Sequence, residues 1–353
     1  MRAFVCFFLF LFFPLSALSQ TVFPALKEGE ANNRLVIYSS LDEAVSKPLM
    51  TRFQERNPGI EIIYHDLQSL DIYERIISET DAGAGTADLV ISSAMDLQMK
   101  LANDGYAQAL RNPEPRWPDW AKWRSTAFGL TFEPSVVVYH KPSFQGQTPP
   151  RNRAALEKIL SSSGDSFFGR AATYDVERSG LGFLFLVRDR EHYRNIWRLM
   201  NAFGESNVKL YSNSSSILER VADGRLAVGY NILGSYAQSW QLKNPDLGIV
   251  YPEDFTVVMS RIALVPEAAK SPELGKSMLR FLMSREGQTI MANDVKLPAL
   301  HPDVQSENTM SAMRTTYGSR LRPITLGPGL IAYLDQVKRS RLIRRWNEAL
   351  RGQ

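Results

Sequence analysis

The sequence predicts an α/β protein in which apolar strands alternate with helices and end in hydroxyl residues at the helix starts. Three observations carry this. Leu35-Val36-Ile37-Tyr38-Ser39-Ser40 is an apolar run rich in β-branched residues that stops at two serines, and the polar segment behind it, 41–56, puts Ala44, Leu49 and Phe53 on one helical side. Asp88-Leu89-Val90-Ile91-Ser92-Ser93 repeats the device ahead of a helical Met95–Asn103. The strands are apolar along their length rather than alternating, which argues for a parallel sheet covered on both faces. Such strand ends lie at the carboxyl edge of a sheet, where open α/β folds bind ligands. A helix N-terminus at that edge favours an anion.

The remaining elements follow in order. Asn57-Pro58-Gly59 turns the chain into a second strand, Ile60–Tyr64, and 71–80 reads as a helix with Ile72, Ile76 and Ile77 inward. Gly83-Ala84-Gly85-Thr86 has the look of a phosphate loop, but it lacks a lysine and precedes its strand, so it reads as a turn. Three prolines between 111 and 124 prevent regular structure. The tryptophans there, Trp117, Trp120 and Trp123, could stack on a sugar, but capping a core from a surface loop is the commoner role. Phe128–Tyr139 is an extended run interrupted at Glu133-Pro134, long enough to leave one sheet and enter another.

A helix over 153–160 precedes a strand end at Ala171–Asp175, and Ser179-Gly180 opens an apolar helix carrying Phe183, Leu184, Leu186 and Val187. Helical spacing returns over 193–203, followed by a strand at 208–211. A helix over 217–223 has Ser216 and Glu219 spaced as a capping box. Leu226–Asn231 is one more strand with polar residues at its end, and Gly234-Ser235-Tyr236 begins another helix. The stretches 249–259 and 262–266 read as a return strand and a crossing. Amphipathic helices follow from Pro272 and from Ser284, and the C-terminal stripe Ile331, Leu334, Val337, Leu342, Trp346, Leu350 has a solvated basic face beside it.

Residues 1–19 read as a secretory signal peptide: Arg2 supplies the charge, 3–13 the apolar region, and Ala17-Leu18-Ser19 a cleavage site before Gln20. Its removal leaves 334 residues with Lys+Arg 40 against Asp+Glu 37, a net charge of +3. That length suits two cores, given domains of roughly 100–200 residues. The charge is too small to argue for nucleic acid. The single cysteine, Cys6, lies within the signal, which leaves the mature chain no thiol chemistry. No later segment is apolar enough for stable membrane insertion, and we expect an exported, soluble monomer. Enzyme signatures are lacking: there is no G-x-S-x-G elbow and no H-E-x-x-H, and His65, His140, His192 and His301 are scattered. We expect no catalytic residues, no cofactor and no resident metal.

Several stretches in order resemble the extracellular solute-binding proteins of ABC transporters, specifically the ferric-ion-binding and hexose-phosphate-binding-like branch. They are 35–40, 87–93, 227–231 and, above all, Ala263-Leu264-Val265-Pro266, Ala269–Glu273 and Phe281–Gln288. The resemblance implies a type II two-lobe periplasmic-binding-protein fold, each lobe a mixed sheet flanked by helices, with two hinge crossings near 131–137 and 257–262. Lobe one would be 34–130 plus 263–300, and lobe two 131–262 plus 301–353. The implied partners are a small ligand and either ABC permease subunits or the ectodomain of a sensor kinase, in the periplasm.

The resemblance leaves the ligand open. Ferric ion prefers phenolate and carboxylate oxygens, and iron-binding members carry paired tyrosines just after the strand that here ends at Asn231. This chain offers Gly234-Ser235-Tyr236 there, and Leu41-Asp42 where some members have a histidine; Tyr230, Tyr236 and Tyr174 are the phenols left for iron. The alternative is a small organic anion: a phosphorylated sugar, a phosphonate or a carboxylate. Ser39, Ser40, Ser92, Ser93, Ser179, Ser214 and Ser215 all fall at strand-to-helix corners. Simple N-capping accounts for any one of them; their recurrence at one kind of edge is what points to a site. Arg178 is the cation placed to pair with a phosphate or to make a surface salt bridge, and Tyr174, Asp175, Tyr230 and Asn231 are the groups to meet sugar hydroxyls.

Overall fold

A computed structural model describes residues 19–27, 33–162 and 166–351. The stretch 1–19 expected to be a signal peptide, with Cys6, lies outside the described residues, except that Ser19 already belongs to a strand. Among the described residues no helix is long and apolar enough to cross a membrane.

The chain begins with β1 (Ser19–Phe23), β2 (Asn33–Ser39), α1 (Glu43–Arg56), β3 (Ile60–Asp66), α2 (Ser69–Asp81), β4 (Leu89–Ser92) and α3 (Met95–Asn103). Strands β2, β3 and β4 pair in parallel, with Ile37 opposite Tyr64 and Leu89, as apolar runs joined by crossover helices must. The sequence reading did not contain β1, which adds antiparallel to β3 at the sheet edge. After the proline-rich loop come β5 (Lys122–Trp123) and β6 (Ala127–Gly129). The tryptophans of that loop serve the core: Trp117 is buried with its indole N–H on the Gly129 carbonyl, and Trp120 packs edge-on to Phe132.

The long extended run changes sheets at Leu130–Phe132, ahead of most of the 131–137 stretch named for it. Its first part is β6; its second is β7 (Glu133–His140), the centre of a second sheet. That lobe continues with α4 (Arg153–Ser162), β8 (Ala171–Tyr174), α5 (Gly180–His192), α6 (Ile196–Glu205), β9 (Lys209–Tyr211), α7 (Ser214–Ala222), β10 (Val228–Leu233), α8 (Gly234–Gln241), β11 (Leu247–Val250) and β12 (Thr256–Met259). The cap of α7 is Asn213, whose side chain accepts from the Ser216 N–H, so the helix starts earlier than the Ser216 capping box implied. Ser260 and Arg261 then carry the chain back to β13 (Ile262–Leu264), antiparallel to β4 and β6.

Helices α9 (Pro272–Met283) and α10 (Arg285–Ile290) cover the first sheet, and α11 (Met310–Tyr317) leads to β14 (Leu321–Pro323), which joins the second sheet beside β12. The C-terminal α12 (Gln336–Arg351) buries Leu342, Trp346 and Ala349 in the cluster that holds Phe203 and Tyr230, while Val337 is exposed. The result is two mixed sheets, ordered β1-β3-β2-β4-β13-β6-β5 and β14-β12-β7-β10-β8-β9 with β11 on β7, linked through a buried hinge at Leu130–Phe132 and Ser260–Arg261.

Candidate functional site

Between the lobes lies a cavity of about 240 Å³ into which five helices, α1, α2, α5, α7 and α8, bring residues from their caps or first turns, with Ser93, two residues ahead of α3, beside them. Each N-terminus carries up to about half a positive charge and unsatisfied N–H groups. Lobe one supplies a chain of hydroxyls: Ser40 Oγ donates to Ser93 Oγ at 3.3 Å and accepts the Ser93 N–H at 3.0 Å, while Ser93 and Ser69 hydroxyls lie 3.1 Å apart. Lobe two answers with Tyr174 and Ser214, whose hydroxyls are 2.5 Å apart, and with Ser179, which caps α5 by accepting the Gly182 N–H. Gly182 is required there, since a Cβ would sit 2.4 Å from Tyr174 Cβ.

The floor is Arg261, 1 % exposed, on the returning hinge crossing. Its Nη1 donates to the Ser40 carbonyl of lobe one at 3.1 Å, and its Nε lies 3.0 Å from Glu133 Oε1, a charge pair with the N–H off the line between them. Burial pulls the guanidinium down, but Glu133, Tyr236 and Asp42 outweigh it and hold Arg261 above its ordinary value. Glu133, on the outgoing crossing, also accepts from Thr131 Oγ1 at 2.8 Å and Ser235 Oγ at 2.5 Å. A buried ion on each crossing satisfies the other.

Two carboxylates also line the cavity. Asp42 bridges the lobes, accepting from Tyr236 Oη at 2.8 Å and from Ser215 Oγ at 3.1 Å. Asp66 accepts the Glu43 N–H at the start of α1 through one oxygen. Burial pushes its carboxyl up against that N–H, and the charges of Asp42 and Glu43 push the same way. Burial also raises the hydroxyls of Tyr174 and Tyr236 well above the usual phenol range.

Of the sequence-predicted residues, Ser40, Ser93, Tyr174, Ser179, Ser214 and Ser215 come together around this cavity. The others do not. Ser39 and Ser92 are the last residues of β2 and β4, fully buried, and their hydroxyls accept from the Leu41 and Ala94 N–H groups two residues on. Period-two alternation turns them into the sheet while the serines after them face the cleft. Asp175 closes a local turn by accepting the Glu177 N–H, and Arg178 is exposed.

Tyr230 and Asn231 are the clearest correction. Both donate to Asp189 Oδ2 at 2.7 Å inside lobe two, where Asp189 is also paired with buried Arg153. The cause is a bulge in β10 between Gly229 and Ile232, with Asn231 at φ +64°, which turns two successive side chains to one side.

The sequence reading missed Asp42, Asp66, Gln68 and Arg261 as lining residues and had Tyr236 only as a phenol for iron. The one available signal for Arg261 was a charge inside the apolar run Val257–Leu264, with Glu133 as its counterpart in Phe128–Tyr139.

A family model described as bacterial extracellular solute-binding protein matches residues 34–294. A solved substrate-binding protein of an ABC transporter from Agrobacterium tumefaciens is 56% identical, with a TM-score of 0.92, covering 95% of this chain and 99% of that one. The periplasmic binding protein AfuA from Actinobacillus pleuropneumoniae, solved with fructose-6-phosphate, is 17% identical with a TM-score of 0.73, covering 90% and 99%. Iron-bound HitA from Pseudomonas aeruginosa is 15% identical with a TM-score of 0.68, at the same coverage. No curated protein matches the chain. The chain therefore belongs to the bacterial extracellular solute-binding proteins, as a two-lobe substrate-binding protein of the ABC-transporter type.

Proposed function

We propose that the protein captures a small organic anion, a phosphorylated sugar, phosphonate or carboxylate, between its lobes and presents the closed form in the periplasm to the permease of an ABC importer. In this reading it is a monomer without catalytic activity, with lobe one formed by 34–130 and 263–300 and lobe two by 131–262 and 301–353. The observation that carries the reading is the convergence of five helix N-terminal ends, a hydroxyl chain and Arg261 on one cavity. Donors so arranged suit a group with many acceptor oxygens and negative charge. The volume, about 240 Å³, corresponds to about eight waters of liquid, which suits a monosaccharide-sized solute. Asp42 joined to Tyr236 and Ser215 gives the closed lobes a latch beside the ligand.

The fold alone does not choose between ligands, since AfuA carries a sugar phosphate and HitA iron in the same architecture. The residues favour the organic anion. A ferric site would draw on Tyr230 and Tyr236, and Tyr230 is committed to Asp189 away from the cleft. Delivery to a sensor kinase instead of a permease uses the same ligand chemistry and remains the second reading of the partner. A thermal-shift screen of the mature protein against ferric ion, sugar phosphates, phosphonates and carboxylates tests the proposal. Stabilisation by an organic anion, without turnover, is expected; stabilisation by ferric ion alone, or by none of the anions, overturns it.

A further inference from the structure

Resting on the anion reading, we infer that Asp66, with Gln68 beside it, is the specificity-determining end of the cavity: it selects anions that carry hydroxyl donors, a polyhydroxylated phosphate ester over inorganic phosphate. The cavity lining holds both donors and acceptors. Arg261, the hydroxyl chain and the helix N-terminal ends are donors. The corner between β3 and α2 contributes Asp66 and Gln68, and an ionised carboxylate is an acceptor only.

Among the two lining carboxylates Asp66 is the one with capacity to spare. Both oxygens of Asp42 already accept, from Tyr236 and from Ser215. Asp66 uses one oxygen on the Glu43 N–H, and among the described residues neither its other oxygen nor the Gln68 amide has a hydrogen-bond partner. Inorganic phosphate carries its P–OH protons on the same compact centre as its charge, so a hydroxyl turned toward Asp66 brings the negative charge against the carboxylate with it. An ester whose far end bears hydroxyls puts donors opposite Asp66 and its charge opposite the donors. Gln68, able both to donate and to accept, completes the recognition of a polyol without adding charge.

The test is calorimetric titration of the mature protein with glucose 6-phosphate, fructose 6-phosphate, glycerol 3-phosphate and inorganic phosphate, on wild type, Asp66→Asn and Gln68→Ala. Asparagine keeps the oxygen that accepts from Glu43, so α1 retains its cap. At least one polyol phosphate should bind about a hundredfold more tightly than inorganic phosphate. Asp66→Asn should weaken that ligand by about ten- to a hundredfold, the worth of a hydrogen bond to a charged group, while inorganic phosphate binds more tightly because a like charge has gone. Gln68→Ala should narrow the same ratio. The inference is overturned if wild type does not prefer any polyol phosphate, or if Asp66→Asn weakens all ligands in parallel. If wild type binds neither phosphate esters, inorganic phosphate nor any other anion, the anion reading itself has failed.

Discussion

Replacing Arg261 by methionine leaves Glu133 as a fully buried carboxylate without its cation. At 3.0 Å and an effective dielectric near 20, the pair attracts by about 5 kcal/mol, much of it offset by the desolvation of both groups. Truncation does not recover that desolvation, because Glu133 stays at 0 % exposure with, among the described residues, only the Thr131 and Ser235 hydroxyls to hold it. We therefore expect Arg261→Met to cost about 3–5 kcal/mol in urea unfolding, the range for a broken buried pair. Adding Glu133→Gln removes the stranded charge, so the double variant should recover more than half of the loss. The cycle needs both single variants and the pair, with m-values compared to confirm one native state. A loss under about 1 kcal/mol for Arg261→Met, or strict additivity of the two substitutions, would refute the claim that the hinge ions depend on each other.

Three further outcomes follow from the geometry. Tyr236→Phe removes the 2.8 Å bond to Asp42 across the cleft, worth about 1.5–3 kcal/mol, and should shift the closed-to-open ratio about ten- to a hundredfold, read as an increased radius of gyration in X-ray scattering; unchanged scattering removes the latch. Gly180→Leu places a Cβ 3.0 Å from Leu97 Cδ1 and 3.1 Å from Ala94 Cβ of the other lobe, so it should wedge the cleft open and weaken ligand binding without lowering the melting temperature. Burial pushes the Asp96 carboxyl up to about 7, with the Leu97 N–H and the charges of Arg188 and Arg339 offsetting only part. The folded state thus holds a proton that the unfolded chain releases near pH 4, and stability falls as pH rises from there through 7. Asp96→Asn should leave stability unchanged below pH 4 and raise it by about 4 kcal/mol at pH 8; a pH-independent effect contradicts this.

The strands and helices that position the cavity were legible because burial wrote them locally. Ile37, Ile62 and Leu89 sit in runs too apolar for any exposed element, and the serines after β2 and β4 mark where those runs end. What could not be read is what depends on one residue of register or on distant pairing. Ser39 and Ser40 differ only in alternation, and the bulge that turns Tyr230 and Asn231 onto Asp189 has no local signature stronger than Gly229. Arg178 looked available because it follows a strand end, whereas the cation of the cleft came from the hinge, made usable by Glu133 at a separation of 128 residues. Likewise, the Asp66 contribution depends on α1 lying over the end of β3, a tertiary fact.

The position of Arg261 also divides the labour of binding in the proposed reading. It lies on the crossing between β12 and β13, touching the Ser40 carbonyl of lobe one and pairing with Glu133 at the base of lobe two. Hinge motions move the lobe edges far and the pivot little, so a negative group can meet Arg261 in the open form much as in the closed one. A contact equal in both states raises affinity without shifting the equilibrium between them. Closure must then be driven by groups that reach the ligand only when the edges meet: Ser93 and Asp66 on one side, Ser179, Ser214 and Ser215 on the other. Weakening Arg261 should therefore lower affinity for every anion while leaving ligand-induced compaction intact at saturation. Removing edge hydroxyls should do the reverse, leaving a bound but incompletely closed protein.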